Sequence, residues 1–258
     1  MPPSSSPEKL ELPAGFHPAP DALKGRQILI TGASRGLGRA IAQQCAAAGA
    51  QTILLARTVA ALDQLADEIV AAGGPEPVLV PCNLEAATLG DFEGIAELLA
   101  ERLGHLDGLV LNAGMLGQLS AIGTYDPALW ARVFQVNLHS AFMLVRCSLP
   151  LLRRSTDARL LFVSSGVARV GRAYWGAYAA SKAALENLMQ VLADELADEG
   201  RVRVNSVNPG RCRTEMRAQA YPAEDADRLP TPDALAPGFV YLLGGDAAAF
   251  HGRQFNLQ

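Results

Sequence analysis

The sequence predicts an α/β fold: a single domain built on a doubly wound, parallel, seven-stranded sheet with helices on both faces. Three observations predict it. From residue 26 onward, short β-branched or leucine-rich runs alternate with longer amphipathic segments rich in alanine and leucine, the pattern of repeated βαβ units. Half of the 258 residues are apolar, enough for a large core in one domain. Neither an internal repeat nor a linker marks a second domain, so residues 26–258 are read as one unit behind an N-terminal arm over 1–25.

The elements follow in chain order. The arm, MPPSSSPEKLELPAGFHPAP, is rich in Pro and Ser and lacks the charged start and apolar run of a secretory signal. A first strand at 27–31 (QILIT) runs into TGASRGLGRAIA and a helix over 36–49. A strand at 51–56 precedes a helix over 58–72, and a strand at 77–81 precedes a helix over 88–103. The strand at 107–111 leads into LNAG and a long helix over 126–154. The strand at 158–164 ends in VSSG, and a helix over 174–199 carries YAASK. A strand at 202–207 opens onto NPGRCRT; the stretch 214–232, with weak periodicity and three prolines, is expected to be a mobile lid. A helix over 232–244 and a strand at 254–257 complete the chain.

Composition narrows the partners. A net charge of −4 and a pI near 5.6 give no electrostatic reason to expect nucleic acid or an anionic membrane. No run reaches the roughly 18 to 20 apolar residues of a membrane span. Cys45, Cys82, Cys147 and Cys212 are scattered without a C-x-x-C pair, which suits reduced packing residues and a cytoplasmic location. The four histidines lack the spacing of a zinc site, so no metal is expected. A small molecule is left as the expected partner.

Gly32, Gly36 and Gly38 stand between a strand and a helix, where glycine lets the backbone turn tightly and approach a ligand. The helix N-terminus then offers N–H groups and positive potential to a pyrophosphate, so a Rossmann-type dinucleotide site is expected. An NAD-binding chain carries an Asp or Glu near the end of the second strand for the ribose 2′-hydroxyl. Here Ala56 stands eighteen residues past Gly38, followed by Arg57, and Arg35 sits in the glycine loop. Two guanidinium groups suit a 2′-phosphate, which predicts NADP(H) over NAD(H).

Tyr178 and Lys182 are i and i+4 on one helical face, above a stripe of Leu185, Met189, Leu192 and Leu196. A lysine buried there needs a partner or a task. A tyrosine with a nearby ammonium has the lowered pKa that proton exchange requires. Ser165 lies thirteen residues upstream at a strand C-terminus, the sheet edge where ligands bind, so it is expected to meet Tyr178.

Taken together, TGASRGLG, LNAG, Asn137 in QVNLHS, Ser165 in VSSG, YAASK and NPGRCRT resemble the short-chain dehydrogenase/reductase family from about residue 26 onward. The run RVGRAYWGAYAASK, with MRAQAYP after NPGRCRT, is most similar to its YciK-like bacterial oxidoreductases. The resemblance implies a catalytic set of Asn137, Ser165, Tyr178 and Lys182. Tyr178 would exchange the proton, Lys182 would hold the nicotinamide ribose and lower the phenol's pKa, Ser165 would bind the carbonyl, and Asn137 would join a water and Lys182 in a proton relay. It further implies cofactor contacts from Gly32, Ser34, Arg35, Gly36, Leu37, Gly38, Arg57, Asn83, Leu84, Asn112, Ala113, Gly114, Tyr178, Lys182, Pro209, Gly210, Cys212 and Thr214. Asn112 reads either as a cofactor contact or as a brace between strands.

The chain departs from the family at Asn83, where an aspartate usually meets the adenine, and in its ending, FNLQ. An amide oxygen can still accept that bond. The substrate edge is expected at Gly114–Gln118, Gly166–Trp175 and the lid, with Met115, Leu116 and Trp175 as apolar contacts and Arg169 or Arg172 facing any anion. The expected activity is NADP(H)-dependent hydride transfer to or from a carbonyl or secondary alcohol. The alternative is an idle NADP(H)-sensing scaffold on the same fold; a hydrolase is disfavoured because no histidine is placed to activate Ser165. Family resemblance implies a homodimer or homotetramer.

Overall fold

The computed structural model describes residues 8–12 and 16–258. Residues 1–7 and 13–15 of the expected N-terminal arm lie outside the described residues.

In chain order the strands are β1 (Glu8–Lys9), β2 (Gln27–Thr31), β3 (Gln51–Ala56), β4 (Val78–Pro81), β5 (Gly108–Leu111), β6 (Ala158–Val163), β7 (Val202–Asn208) and β8 (Gln254–Asn256). The helices are α1 (Gly36–Ala47), α2 (Val59–Ala71), α3 (Leu89–Leu103), α4 (Pro127–Phe134), α5 (Ser140–Leu152), α6 (Gly176–Glu195), α7 (Glu215–Ala220) and α8 (Pro232–Leu243). The sheet order is β1-β8-β7-β6-β5-β2-β3-β4 with every pairing parallel. The chain leaves β2 for β3 on one side and returns to β5 on the other. A crevice therefore opens above the carboxyl ends of β2 and β5, where such sheets bind ligands.

Every inner strand is buried on both faces, which is why the strands read as continuous apolar runs. Ile28 and Ile30 join Leu54, Val110 and Leu161 in a core under α1, α2 and α8. Their neighbour Leu29 points to the opposite core, with Ile53, Leu109, Leu160 and Phe162 against α3, α5 and α6. That period-two split places helices on both faces.

Two expectations are corrected. The sheet has eight strands among the described residues, not seven, because Glu8–Lys9 of the arm adds parallel to β8 and Leu10, itself buried, donates its N–H to Asn256 O. Two residues are too few to show a strand period in sequence. The helix expected over 126–154 is also divided: a π turn at Gln135–His139 separates α4 from α5. The turn carries Asn137, whose carboxamide bonds the backbone of Met115. The expected lid is partly helical, containing α7 and a short 3₁₀ turn at Ala226–Arg228. No helix among the described residues is long and apolar enough to cross a membrane.

Candidate active site

A cleft of about 690 Å³ runs across the carboxyl edge of the sheet, from Arg57 and Asn83 at one end to Ser165, Tyr178 and Lys182 at the other. The glycine loop forms its floor. Gly32 and Gly36 have φ of +67° and +55°, a left-handed region that costs a side chain roughly 1–2 kcal/mol. Gly38 acts differently: a Cβ there would run into the Gly32 carbonyl and the Asn112 amide, so this glycine lets α1 pack tightly on the strand ends. Ser34, Arg35 and Leu37 line the cleft with Gly32 and Gly36, whereas Gly38 lies beneath it. α1 has no acidic residue in its first turn and no side-chain cap at its N-terminus. Its positive end is therefore available to an anion.

Asn112 is a brace. Its Nδ2 donates to Thr31 O (2.9 Å), and its backbone N–H and that of Ala113 both reach Thr31 Oγ1 (3.0 Å each). This stitches β5 to β2 below Gly114. Asn137 continues the scaffold: Oδ1 accepts from Met115 N (2.7 Å), and Nδ2 donates to Met115 O (3.0 Å) and Ser181 Oγ (2.9 Å). Asn137 is buried and outside the cleft lining, but its Oδ1 and Lys182 Nζ both lie 3.7 Å from where a Gly114 Cβ would stand.

At the other end of the cleft, α6 presents Tyr178 and Lys182 one turn apart, both buried. Lys182 Nζ donates to Val163 O (2.8 Å) at the end of β6 and lies 6.0 Å from the Tyr178 ring centroid. Burial pushes the ammonium down to about 8, with Glu186 one turn further along pulling it up. For Tyr178 the expected lowering is corrected: burial raises the phenol above its ordinary range, and it is Ser165, not Lys182, that pulls it back. The lysine instead spends a hydrogen bond on the Val163 carbonyl.

Asn83 and Leu84 line the far end of the cleft, with Asn83 Oδ1 accepting from Glu85 N (3.3 Å). Pro209, Gly210, Cys212 and Thr214 line the side above β7. Thr214 caps α7 by accepting from Arg217 N (3.3 Å), and its methyl faces Gly36 across the cleft.

Several arginines differ from expectation. Arg35 is paired with Glu215 of α7, tying the glycine loop to the lid segment, while Arg57 lines the cleft at the end of β3. Arg169 does not face the substrate edge: its Nη1 donates to Asn256 Oδ1 (2.7 Å), and Nη2 lies 3.9 Å from Glu186. Arg172 donates to Tyr221 OH (2.5 Å). Tyr221 is also covered by the Arg217 guanidinium, 3.8 Å from its centroid, and lies beside Trp175, which in turn packs edge-on to Tyr178 (5.8 Å). Both candidate anion contacts are thus engaged by the protein itself. Met115, Leu116 and Trp175 line the cleft.

Sequence reasoning missed Glu186, although its i+4 step from Lys182 was in plain view. It also missed Gln258, whose amide donates to Pro209 O (2.7 Å) and Arg211 O (2.8 Å) and so clasps the loop after β7. No local pattern signals that contact, because 47 and 49 residues separate the partners.

A family model described as short chain dehydrogenase matches residues 26–225. An uncharacterised oxidoreductase, YciK, of Escherichia coli (strain K12) is 43% identical over 243 residues, covering 94% of this chain and 96% of its own. A short chain dehydrogenase of Shigella flexneri 2a str. 301, crystallised with NADP, superposes with a TM-score of 0.91 at 42% identity, covering 93% of this chain and 100% of its own. One from E. coli CFT073, crystallised with NADPH, gives 0.91 at 44% over the same shares.

Proposed function

Because the chain belongs to the short chain dehydrogenase family of oxidoreductases, we propose that it transfers a hydride between NADP(H) and a carbonyl or secondary alcohol, with Tyr178 as general acid/base. The observation that carries this reading is the meeting of Ser165, Tyr178 and Lys182 at one end of a cleft whose other end is a glycine loop and Arg57. The cofactor assignment is supported by the relatives crystallised with NADP and NADPH, and by Arg57 following Ala56 where an acid would repel a 2′-phosphate. Arg35 joins Arg57 on that phosphate only by leaving Glu215.

NADP(H), when bound, supplies the hydride. The chain's own part is to orient and to move a proton. Ser165 Oγ donates to the substrate carbonyl and holds it beside the phenol. The Tyr178 hydroxyl, kept protonated at neutral pH by burial, gives its proton to the carbonyl oxygen as the alcohol forms, and the O–H bond of the phenol breaks. Lys182 would hold the cofactor's ribose and stabilise the phenolate so produced, and Asn137 keeps the Met115 and Ser181 walls in register around it.

Residues 26–258 act as one Rossmann-type domain in this reading, cytoplasmic, with a small-molecule substrate. The family resemblance is the basis for proposing a homodimer or homotetramer, which light scattering tests.

NADPH oxidation with ketones, aldehydes, quinones and 3-oxoacyl thioesters tests the activity. Tyr178→Phe should lose roughly 10²–10⁴-fold in kcat while still binding NADPH. Full activity in that variant would refute the proton-transfer assignment, and tight NADPH binding without any turnover would favour the sensing scaffold.

A further inference from the structure

Beneath the reacting end lies a second set of buried charges that the proposed chemistry does not use. Glu186 follows Lys182 by one turn of α6 and is buried. Its Oε1 accepts from Ser206 Oγ of β7 and lies 3.9 Å from Arg169 Nη2, four residues past Ser165. Among the described residues its Oε2 has no hydrogen-bond partner, and neither have Arg169 Nε and Nη2. Arg169 is tied onward through Asn256 Oδ1, which also accepts from Asn208 Nδ2 (2.9 Å), and Asn208 Oδ1 accepts from Gly210 N (3.1 Å).

Two cations, the buried Lys182 one helical turn away and the partly buried Arg169 at 3.9 Å, thus flank one carboxylate. Ser206 is neutral, so these two are the charged groups brought against Glu186 from its own helix and from the loop after β6. A buried ammonium without a counter-charge gives up its proton rather than its burial. With Oε2 free of any hydrogen-bond partner among the described residues, the Glu186 charge is only partly compensated by Ser206 and Arg169 and acts on the ammonium one turn away.

We propose that Glu186 is a positioning residue that keeps Lys182 an ammonium beneath Tyr178, and that with Arg169 it ties the loop after Ser165 to the loop after β7. The inference rests on Lys182 acting as an ammonium in the proposed reaction. Its sign agrees with the upward pull of Glu186 on Lys182 against burial. It also accounts for Arg169 facing inward rather than toward the substrate.

Lysine is rare in the chain: Lys9, Lys24 and Lys182 complete the set. Isotope-labelled lysine therefore allows the buried amine to be titrated by NMR, assigned by its loss in Lys182→Met. In Glu186→Gln, which is isosteric and still accepts from Ser206, Lys182 should titrate lower than in the wild type by about one pH unit. Glu186→Asp should return it most of the way. The alkaline limb of kcat for NADPH-dependent reduction should move down with it in Glu186→Gln and leave the acid-side rate near wild type. If Glu186→Gln fails to fold, Arg169→Met compared with Arg169→Met/Glu186→Gln carries the same test, the double variant titrating lower.

An unmoved Lys182 titration overturns the inference, as does a uniform loss of rate across pH with no moved limb, which is what a purely structural role produces. Were the wild type to show no turnover at all, the proposed chemistry would fail, but the NMR titration would still decide the coupling.

Discussion

Replacing Lys182 by methionine should stabilise the fold while removing the activity. The burial that places the ammonium in the site holds its pKa down from 10.5 to about 8. At ~1.4 kcal/mol per tenfold change in proton affinity, keeping it charged costs the native state roughly 3 kcal/mol at neutral pH. Methionine fills a similar volume without that cost but forfeits the charge-assisted bond to Val163 O, about 1.5–3 kcal/mol, leaving a net gain of about 1 kcal/mol. For a chain of this length that corresponds to a rise in Tm of about 2–4 °C. The sign with pH follows from linkage. Since the folded pKa lies below the unfolded one, the cost is fully present below about 8 and fades as pH rises toward 10.5, where the unfolded amine also loses its proton. The advantage of the variant should shrink over the same window. Calorimetric unfolding of both proteins at neutral, intermediate and strongly alkaline pH measures it, and taking the difference cancels the titration of the cysteines and other tyrosines. A variant no more stable than the wild type at neutral pH, or an advantage constant with pH, would refute the burial argument.

Other perturbations have defined outcomes. Arg57→Glu puts a carboxylate where a 2′-phosphate is proposed to sit; removing one charged hydrogen bond of ~1.5–3 kcal/mol should lower the NADPH/NADH ratio of kcat/KM by at least about tenfold, and an unchanged ratio counts against the cofactor assignment. Gly38→Ala should destabilise the protein by about 1–3 kcal/mol, since its methyl would strike the Gly32 carbonyl and the Asn112 amide; an unchanged urea midpoint would mean that α1 shifts without cost. Tyr174 is exposed and holds φ at +72°, so Tyr174→Gly should stabilise by about 1 kcal/mol, read from the same midpoint, with a loss instead showing that its ring makes a packing contribution.

Much of this protein is local and therefore legible. Strand and helix periods in QILIT, QTILLA or the α6 stripe reflect which face of each segment must leave water, and that is written in neighbouring residues. The glycine loop, the YAASK pair and the position of Ser165 at a strand end are likewise short-range patterns, so both ends of the cleft and the α/β class could be read before any fold was known. Asn137 was legible as a residue but not as geometry: it sits in a π turn, and its carboxamide bonds the backbone of Met115, 22 positions earlier.

What only the tertiary structure decided are the effects of burial and of contacts distant in sequence. The parallel register brings Glu8–Lys9 beside Phe255–Asn256, Gln258 against Pro209, and Arg169 against Asn256, 87 positions away. The sequence placed Lys182 next to Tyr178 and so suggested a lowered phenol; the fold buried both, sent the ammonium to Val163 O and raised the phenol instead. The reason is physical: i,i+4 spacing determines which groups are neighbours, whereas their charge states depend on the water that the rest of the chain removes from around them.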